Sequence, residues 1–360
     1  MKKLLKPYTR GNFSLKNHIV MAPMTRSRAI KNIPNDLMAE YYEQRSGAGL
    51  IITEGTSPSP EGLGYPRIPG IFSDEQVAGW KKVTEKVHKH NSKIFVQMMH
   101  TGRIANVENL PEGTSVIGPS NIIAAGQIFT DSKGMQDHTE PEAVATDKIK
   151  ITIDEFVNAS KNAVKAGFDG VEIHAAHGYL PEQFLNPNVN NRTDEFGGSV
   201  KNRSKFIIEI AKKIVDAIGK EKVGIRISPF SVNGDLSPYD ENEVIETYTY
   251  IVEEMEKLGI TYIHLSANPK IPKELYHTIR KSFSNTIILC NGLNAETAEA
   301  ALNSGFADIV AFARFFIANP DLPNRIANNV NLVEATDFST FYSPGPEGYT
   351  DYPSMPLEKV

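Results

Sequence analysis

The sequence predicts an α/β protein with the (β/α)8 TIM-barrel fold, a single domain that spans residues 1–360. Three observations lead to this fold class. Eight short apolar runs rich in β-branched residues recur along the chain, and stretches with a helical period alternate with them. Almost every apolar run also ends in a side chain that can form hydrogen bonds. Eight strands alternating with eight helices close into a barrel, which can hold a chain of this length in one unit.

The eight apolar runs have the character of strands that are buried on both faces, as in a parallel sheet. The segments Leu50-Ile51-Ile52 and, near the end of the chain, 309–312 are almost continuously apolar. Each run is bounded by turn-forming residues. The predicted strands cover 18–23, 49–56, 93–100, 170–175, 223–229, 261–267, 286–292 and 308–314.

Helical periodicity fills the intervals between the predicted strands. Cap-like residues precede three of these stretches, and glycines end three. The cap-like residues are Ser73, Asn294 and Asn319, and the terminal glycines are Gly219, Gly259 and Gly305. The predicted helices cover 36–46, 74–91, 153–166, 199–219, 241–259 and 295–305, with shorter candidates at 273–283 and 319–328.

Two segments interrupt the alternation of strands and helices. Residues 101–150 follow the third strand and are rich in Gly, Pro, Ser and Asn, and the C-terminal tail, 330–360, is rich in Pro, Gly and Tyr. A loop of this length is usually either functional or disordered. Because the first segment also contains apolar residues such as Ile128 and Phe129, we expect an ordered lid with a short hairpin.

Composition and charge exclude several classes of function. Hydrophobic residues make up 40% of the chain and charged residues 22%, a balance that is typical of globular proteins rather than disordered ones. The net charge of −5 gives no electrostatic footprint for nucleic acid or for an anionic membrane surface. The single cysteine, Cys290, excludes an internal disulfide framework and a multi-cysteine metal site.

The start of the chain and the length of its apolar runs give an expectation for location. Residues 1–9 carry lysines without the apolar segment that would follow in a signal peptide. No run of 18 apolar residues is present, so we expect no membrane span. Together with the cysteine usage of a reducing compartment, these features predict a cytoplasmic protein. The oligomeric state is left open between a monomer and a small homo-oligomer.

Polar residues follow the carboxyl ends of the predicted strands, where (β/α)8 enzymes carry their chemistry. Asn291 and Gly292 follow the seventh strand, and Ala313 and Arg314 end the eighth, in both cases just before a predicted helix. Backbone N–H groups at helix starts together with one guanidinium are typical of a phosphate site.

Two further strand-end residues narrow the kind of ligand. Gln97 can both donate and accept hydrogen bonds, which suits the amide edge of a heterocycle. Arg226, which emerges from the barrel interior, supplies a positive charge that can stabilise an anionic ring. A phosphate site, an amide partner and a buried cation together indicate flavin mononucleotide (FMN).

Other barrel chemistries fit the strand ends less well. No lysine lies at a strand end, which disfavours a Schiff-base aldolase. His174 and His177 could hold a metal, but a zinc site needs three or more protein ligands. Glu54 and His264 are the remaining candidates, and no carboxylate cluster supports them. An FMN-free phosphosugar isomerase or lyase would use the phosphate site but leave the amide, the guanidinium and the histidine pair without a role.

Several ordered segments resemble the old yellow enzyme family of flavoproteins, in particular its bacterial N-ethylmaleimide reductase and plant oxophytodienoate reductase-like branch. The resemblance runs almost from end to end, and the segment 167–203, which contains His-Ala-Ala-His-Gly-Tyr, is its most specific part. The segments that carry it are 19–26, 48–56, 95–103, 167–180, 191–199 and 347–353.

This resemblance implies an FMN-dependent ene-reductase that uses NADPH or NADH and acts on small enones, maleimides or nitro compounds. It implies that ten residues hold the cofactor: Pro23, Met24, Thr25, Gly55 and Gln97 around the ring, Arg226 beside its N1/C2 region, and Asn291, Gly292, Ala313 and Arg314 at the phosphate.

The resemblance also implies roles on the substrate side of the ring. His174 and His177 would bind the substrate's carbonyl oxygen, and Tyr179 would protonate the α-carbon. Tyr65 and Tyr349 would form walls of the pocket. Two donors aimed at an oxygen that gains negative charge stabilise the transition state, and a tyrosine is a suitable acid towards an enolate-like carbon. A helical turn after the fourth strand would place residues i and i+3 on one side.

The chain departs from the family's pattern at two positions of interest. Relatives often carry a tryptophan where this chain has Met99 in Met98-Met99, so we expect a roomier pocket. Ala313 stands where relatives often have glycine, which is tolerable only if φ is negative there. These departures leave open a flavin-binding protein without turnover.

Several other residues have a plain structural interpretation. We expect His100 and His264 to be structural or supporting residues, and Cys290 to be a small buried hydrophobe. Arg103 and Arg192 could reach the phosphates of a nicotinamide cofactor, but ordinary salt bridges explain them equally well.

Overall fold

Eight parallel strands form a closed barrel in the computed structural model, which describes residues 2–355. The strands pair in chain order, and the first strand closes the barrel by pairing with the last. All eight predicted strands are confirmed, each inside its predicted run. They are β1 Ile19–Met21, β2 Leu50–Ile52, β3 Lys93–Met98, β4 Gly170–Ala175, β5 Val223–Ile227, β6 Tyr262–Ser266, β7 Thr286–Cys290 and β8 Ile309–Phe312.

Helices follow the strands and cover the outside of the barrel. The longer ones lie close to their predicted bounds, and the capping boxes at Ser73 and Asn294 are both present. Gly219 and Gly259 end their helices with positive φ values of 89° and 65°. The helices are α1 Asp36–Gln44, α2 Asp74–His88, α3 Thr146–Lys165, α4 Leu180–Leu185, α5 Val200–Ile218, α6 Glu241–Leu258, α7 Lys273–Ser282, α8 Ala295–Asn303, α9 Phe315–Ala318 and α10 Leu322–Ala327.

Two helical predictions differ from the structure, and one helix was not predicted. Helix α3 begins at Thr146 rather than at 153, because Ala145 precedes it without a side-chain cap that would mark the start. The predicted helix 319–328 is wrong as one unit. Asn319 is the C-cap of α9, Pro320 follows it, and Asp321 precedes α10. Helix α4 was not predicted, since six residues are too few to show a clear period.

A short antiparallel hairpin closes the amino-terminal end of the barrel. Its strands are Tyr8–Arg10 and Phe13–Leu15. The Phe13 ring lies 6.1 Å from the ring of Phe95 and 6.3 Å from that of Tyr262, near the starts of β3 and β6. The hairpin therefore completes the apolar core inside the barrel, while a second and larger core lies between the strands and the helices.

The segment between β3 and α3 is ordered and contains the expected hairpin. Strands Gln127–Thr130 and Gly134–Asp137 pair antiparallel, and two short strands, Ile117–Gly118 and Glu142–Ala143, pair parallel. The excursion ends at 145 rather than 150 because α3 begins earlier than predicted.

Three buried arginines fasten the C-terminal tail to the barrel. Arg26 donates to the carbonyl oxygens of residues 341 and 348, and Arg28 donates to those of residues 340, 341 and 347. Arg45 donates to the carbonyl oxygen of residue 349 and to that of residue 316, just inside α9. Within residues 2–355, no helix combines the length and the apolar character needed to cross a membrane.

Candidate active site

A cavity of about 1060 Å³ opens at the carboxyl ends of β5 to β8. This volume lies at the upper end of the range for small-molecule and cofactor sites. Six of the predicted site residues line it, together with polar side chains from β5, β6 and the loops that follow. The six are His177, Arg226, Asn291, Gly292, Ala313 and Arg314.

At the predicted phosphate end of the cavity, no side chain of residues 2–355 covers the backbone of Gly292. Gly292 has a φ of 63°, and a Cβ built there would meet no atom within 4 Å. Asn291, with a φ of 123°, donates through its side chain to the carbonyl oxygen of Ala267. Ala313 does not adopt a positive φ, so the condition that makes alanine tolerable at this position is met. Arg314 is exposed at the start of α9.

Arg226 reaches the cavity from inside the barrel with part of its guanidinium unpaired. Its side chain is buried, and Nη2 lies 3.7 Å from the Cys290 Sγ. Among residues 2–355, no atom forms a hydrogen bond with Arg226 Nε. Leaving a buried charged donor unsatisfied is costly, so this nitrogen marks a place for a polar group of a ligand.

A buried carboxylate orients the amide of Gln97. Glu172 accepts a hydrogen bond of 2.8 Å from Gln97 Nε2, and its other oxygen lies 2.9 Å from His264 Nδ1. Because a carboxylate can only accept, the nitrogen of the Gln97 amide must face it. Glu172 was missed in the sequence, although a carboxylate in an otherwise apolar strand and two residues before His174 shares a face with that histidine.

The rings of His174, His177 and Tyr179 form a cluster after β4. The His174 ring lies 5.6 Å from that of His177 and 4.8 Å from that of Tyr179. The Tyr179 hydroxyl donates to that of Tyr65 at 3.3 Å. The expected helical turn is wrong: His177 and Gly178 have φ values of 58° and 83°, so a left-handed turn brings the rings together before α4 begins.

Burial determines the protonation state of this cluster. It lowers the pKa of His174 well below the ordinary value for histidine, and it lowers the pKa of His177 to about 3, in both cases with help from the positive charge of Arg226. Burial also raises the pKa of Tyr179. At neutral pH the cluster therefore consists of two neutral imidazoles and a protonated phenol.

Comparison with known proteins identifies the family of this chain. The sequence profile of the NADH:flavin oxidoreductase / NADH oxidase family matches residues 3–332. The chain belongs to the old yellow enzyme family of flavin oxidoreductases. The predicted family, fold class and enzyme class are thus confirmed.

Plant enzymes and solved structures resemble this old yellow enzyme over nearly its whole length. It is 39% identical to 12-oxophytodienoate reductase 1 of Oryza sativa subsp. japonica over 98% of this chain and 93% of that protein. Morphinone reductase in complex with tetrahydroNAD superposes with a TM-score of 0.94 at 38% identity, covering 100% of this chain and 99% of that one. The old yellow enzyme homologue from Zymomonas mobilis gives a TM-score of 0.92 at 38% identity, with 98% and 99% covered.

The residues of the site fit FMN, the cofactor that the family implies. The cavity has the necessary volume, its wall at Gly292 is open, and Arg226 Nε lacks a partner within residues 2–355. His174 Nδ1 is likewise buried without a partner in the described part of the chain. These unpaired nitrogens are the groups that a flavin and a substrate would satisfy.

In this old yellow enzyme, Met99 lies directly over Gly55. A Cβ built on Gly55 would come within 2.4 Å of the Met99 Sδ, so only glycine fits with the thioether in this position. Met99 packs with Tyr65 and Tyr179 in a small apolar cluster. The residue that departs from the family's pattern therefore lies against Gly55 and belongs to the same small apolar cluster as Tyr65 and Tyr179.

Pro23, Met24 and Thr25 are half-buried in the loop after β1. The next backbone N–H donates to Glu54 at 3.2 Å, which ties this loop to the segment that contains Gly55.

Tyr349 does not take its predicted place in the pocket wall. Its side chain is fully buried and stacks on Tyr41 with 4.0 Å between ring centroids. The guanidinium of Arg28 lies 4.6 Å from the Tyr349 ring. The prediction that Tyr349 forms a pocket wall is therefore wrong, because stacking and cation–π contacts hold its ring in the barrel–helix core.

Arg103, Arg192 and His100 all form hydrogen bonds within the protein. Arg103 is buried and donates to carbonyl oxygens of the excursion and of the 234–235 segment. Arg192 forms a bidentate ion pair with Asp194. His100 is fully buried and accepts a hydrogen bond from the Gly102 N–H at 3.1 Å. These contacts favour structural roles for all three residues.

Proposed function

We propose that this old yellow enzyme is an FMN-dependent NAD(P)H ene-reductase for α,β-unsaturated carbonyls, maleimides or nitro compounds. The observation that carries the proposal is the cluster of two neutral imidazoles and one protonated phenol beside the cavity that Arg226 enters. Neutral imidazoles can donate N–H groups to a carbonyl oxygen without binding an anion in the ground state.

His174 and His177 bind the substrate's carbonyl oxygen in this proposal. Negative charge grows on that oxygen when a hydride adds to the β-carbon. Donors that are already in place stabilise this charge by about 2.7–4 kcal/mol each, by analogy with oxyanion holes. Ser266, whose hydroxyl lies 2.8 Å from His177 Nε2, restrains the imidazole.

Tyr179 donates the proton to the α-carbon. Burial keeps its hydroxyl protonated at neutral pH, and the ring of His174 packs against it at 4.8 Å. Tyr65 accepts a hydrogen bond from this hydroxyl and forms one wall of the pocket. The position of the phenol next to the imidazole pair supports a single site for carbonyl binding and protonation.

FMN, when bound, would supply the hydride that it takes from NADPH or NADH. Arg226 would face its anionic edge and Gln97 its amide edge. The remaining binding residues would be Pro23, Met24, Thr25 and Gly55 at the ring, and Asn291, Gly292, Ala313 and Arg314 at the phosphate. The likeness to morphinone reductase with bound tetrahydroNAD supports a nicotinamide donor in the same cavity.

An anaerobic titration of the purified protein with NADPH, and separately NADH, tests this proposal. We expect a yellow protein whose flavin absorbance bleaches on titration and returns on addition of 2-cyclohexenone, N-ethylmaleimide or a nitroalkene. A colourless protein that cannot be reconstituted with FMN would exclude the proposal. Bleaching without reoxidation by any of these acceptors would instead indicate a flavin-binding protein without ene-reductase turnover.

A further inference from the structure

Glu182 is a buried carboxylate that the reaction described above does not use. It lies in the first turn of α4 and is 2% exposed. Three donors converge on it. The Gly178 N–H reaches Oε2 at 2.7 Å, and the hydroxyls of Ser228 and Tyr248 both reach Oε1 at 2.6 Å. Such complete coordination of a buried charge is typical of a group that fixes local geometry.

The segment that Glu182 holds is the strained turn that presents His177. A positive φ of 58° is uncommon for a residue other than glycine and requires support from its surroundings. The His177 N–H donates to the Ser228 hydroxyl at 2.9 Å, and that hydroxyl in turn donates to Glu182. Glu182 therefore binds Gly178 directly and His177 through Ser228.

The other side of the turn is closed by the backbone of Asn233 and by the side chain of Gln183. A Cβ built on Gly178 would lie 2.4 Å from the carbonyl oxygen of Asn233. Gln183 donates to the Gly178 carbonyl oxygen at 2.7 Å. The carboxylate holds the backbone of the turn from the other side, and the Ser266 hydroxyl, 2.8 Å from His177 Nε2, restrains the imidazole itself.

We propose that Glu182 is a positioning residue for His177, and that its ionised carboxylate holds the imidazole in place for the substrate's carbonyl oxygen. This inference rests on the proposed function, because the geometry it preserves is that of the carbonyl site. Within residues 2–355, the Glu182 carboxylate forms no hydrogen bond with the residues predicted to hold the cofactor or with the Tyr179 hydroxyl; its partners are Gly178, Ser228 and Tyr248.

The protonation state of Glu182 makes the geometry of the turn depend on pH. Burial raises its pKa to about 7, although its three hydrogen-bond donors act in the opposite direction. A carboxylate accepts all three bonds, whereas the acid carries a proton of its own and loses one of them. The Ser228 and Tyr248 hydroxyls can reverse and accept from the acid, but the Gly178 N–H can only donate, so the network that holds the turn weakens as the pH falls through 7. His177 cannot cause this change, because its own pKa is about 3.

Few other titratable groups face this carboxyl group. Tyr248, on α6, is its partner, and burial raises the pKa of that hydroxyl well above 10. Lys270 and Glu241 line the neighbouring cavity of about 350 Å³ that Glu182 borders. Tyr239 lines the same cavity, and the Arg203–Glu243 ion pair lies near Tyr239.

The first test measures reoxidation of the reduced holoenzyme by 2-cyclohexenone, a substrate without an ionisable group, between pH 5.5 and 8.5. In the wild type we expect the apparent affinity for the enone to fall as the pH decreases, with a midpoint near pH 7. Glu182→Gln should lose this dependence and bind the enone about 10- to 100-fold more weakly at pH 8, because hydrogen bonds of buried groups are lost. The rate at which NADPH reduces the flavin of this variant should change much less.

Two further variants sharpen this test. Tyr248→Phe removes a donor that lowers the pKa of Glu182, so the midpoint should move to higher pH. Glu155→Gln is the matched control, because burial also raises the pKa of Glu155 to about 7, but that residue lies on α3 and the groups that act on it are Glu61 and Ser59 rather than residues of the turn. The inference would be overturned if Glu182→Gln kept the pH dependence of the wild type. It would also be overturned if Glu155→Gln lost that dependence as Glu182→Gln is expected to do.

Amide exchange separates this inference from the proposed function. Hydrogen–deuterium exchange of peptides covering 174–185 needs no substrate. Faster exchange at Gly178 in Glu182→Gln, absent in Glu155→Gln, supports the positioning role even if no enone reoxidises the wild type, in which case the proposed function alone fails. Unchanged protection of Gly178 contradicts the positioning role whatever the turnover.

Discussion

The chemistry of the site depends on single side chains whose charge is set by burial. His174 and His177 would be half protonated near pH 6.5 in water, but in the protein they remain neutral at neutral pH. Their N–H groups are thus available to a neutral carbonyl over the whole physiological pH range. A change in activity near pH 7 must therefore come from another group, and the candidates beside the site are Glu54 and Glu182, whose pKa values burial raises to about 7.

Replacement of Tyr179 by phenylalanine tests the proton donor. Tyr179→Phe should slow alkene reduction about 10²- to 10⁴-fold, the usual contribution of a general acid, and leave flavin reduction by NADPH largely intact. Stopped-flow measurement of the two half-reactions separates these effects. Tyr65→Phe is the control, since it keeps the Tyr179 hydroxyl and removes only its acceptor. Equal losses in both half-reactions would contradict the assignment.

Replacement of Met99 tests whether the thioether limits the pocket. Met99→Ala should raise kcat/KM for a bulky enal such as cinnamaldehyde relative to 2-cyclohexenone, because Met99 packs against Tyr65 and Tyr179. Removing a buried methionine should also lower stability by about 2–5 kcal/mol. The neighbouring Met98→Ala is a matched control, as Met98 is equally buried but lies in the barrel–helix core. If both variants change the substrate ratio alike, Met99 does not form the wall.

At the scale of elements, the C-terminal tail is held by guanidinium groups rather than by helices or strands. Arg28 alone donates to the carbonyl oxygens of residues 340, 341 and 347. Because buried carbonyl groups without donors are costly, the tail depends on these side chains for its order.

Arg28→Ala should therefore release the tail. We expect a loss of at least about 3 kcal/mol of stability, because several buried carbonyl groups lose their donor. Limited proteolysis should find new cleavage between residues 338 and 350. Lys82→Ala removes an exposed ion pair with Asp36 and should leave stability almost unchanged, since solvent screens such pairs. A tail that stays protected in Arg28→Ala would show that stacking of Tyr349 suffices to hold it.

At the scale of the whole molecule, buried carboxyl groups couple stability to pH. Burial raises the pKa of Glu54, Glu155 and Glu182 to about 7. The unfolded chain releases these protons near pH 4.5, whereas the folded state keeps them to about pH 7. Their contribution to stability is therefore complete below pH 4.5 and is lost as the pH rises through 7.

Glu155→Gln tests this coupling at a position outside the site. Repulsion from Glu61 adds to the effect of burial there. Since glutamine does not ionise, the stability of the variant relative to the wild type should increase between pH 4.5 and pH 7 and then level off. Urea unfolding at pH 5 and pH 8 measures this difference. An equal difference at both pH values would show that Glu155 titrates normally.

The sequence predicted an element correctly wherever the local residue pattern agrees with the environment that the fold gives to that element. All eight strands were predicted because parallel strands buried on both faces are continuous apolar runs. The N-terminal hairpin was missed, although Gly11-Asn12 between alternating residues is a recognisable turn signal. Helix α4 is too short for periodicity to reveal it, and Glu182, which lies on it, was missed for the same reason.

The sequence by itself determined the fold class, the family and the set of polar residues at the carboxyl ends of the strands, because these depend on local periodicity and ordered motifs. Only the tertiary structure decided which of them meet. It brought His174, His177 and Tyr179 together through a left-handed turn and joined Gln97 to Glu172. It placed Tyr349 in the core. Packing between segments distant in the chain fixes these contacts, and no local pattern encodes them.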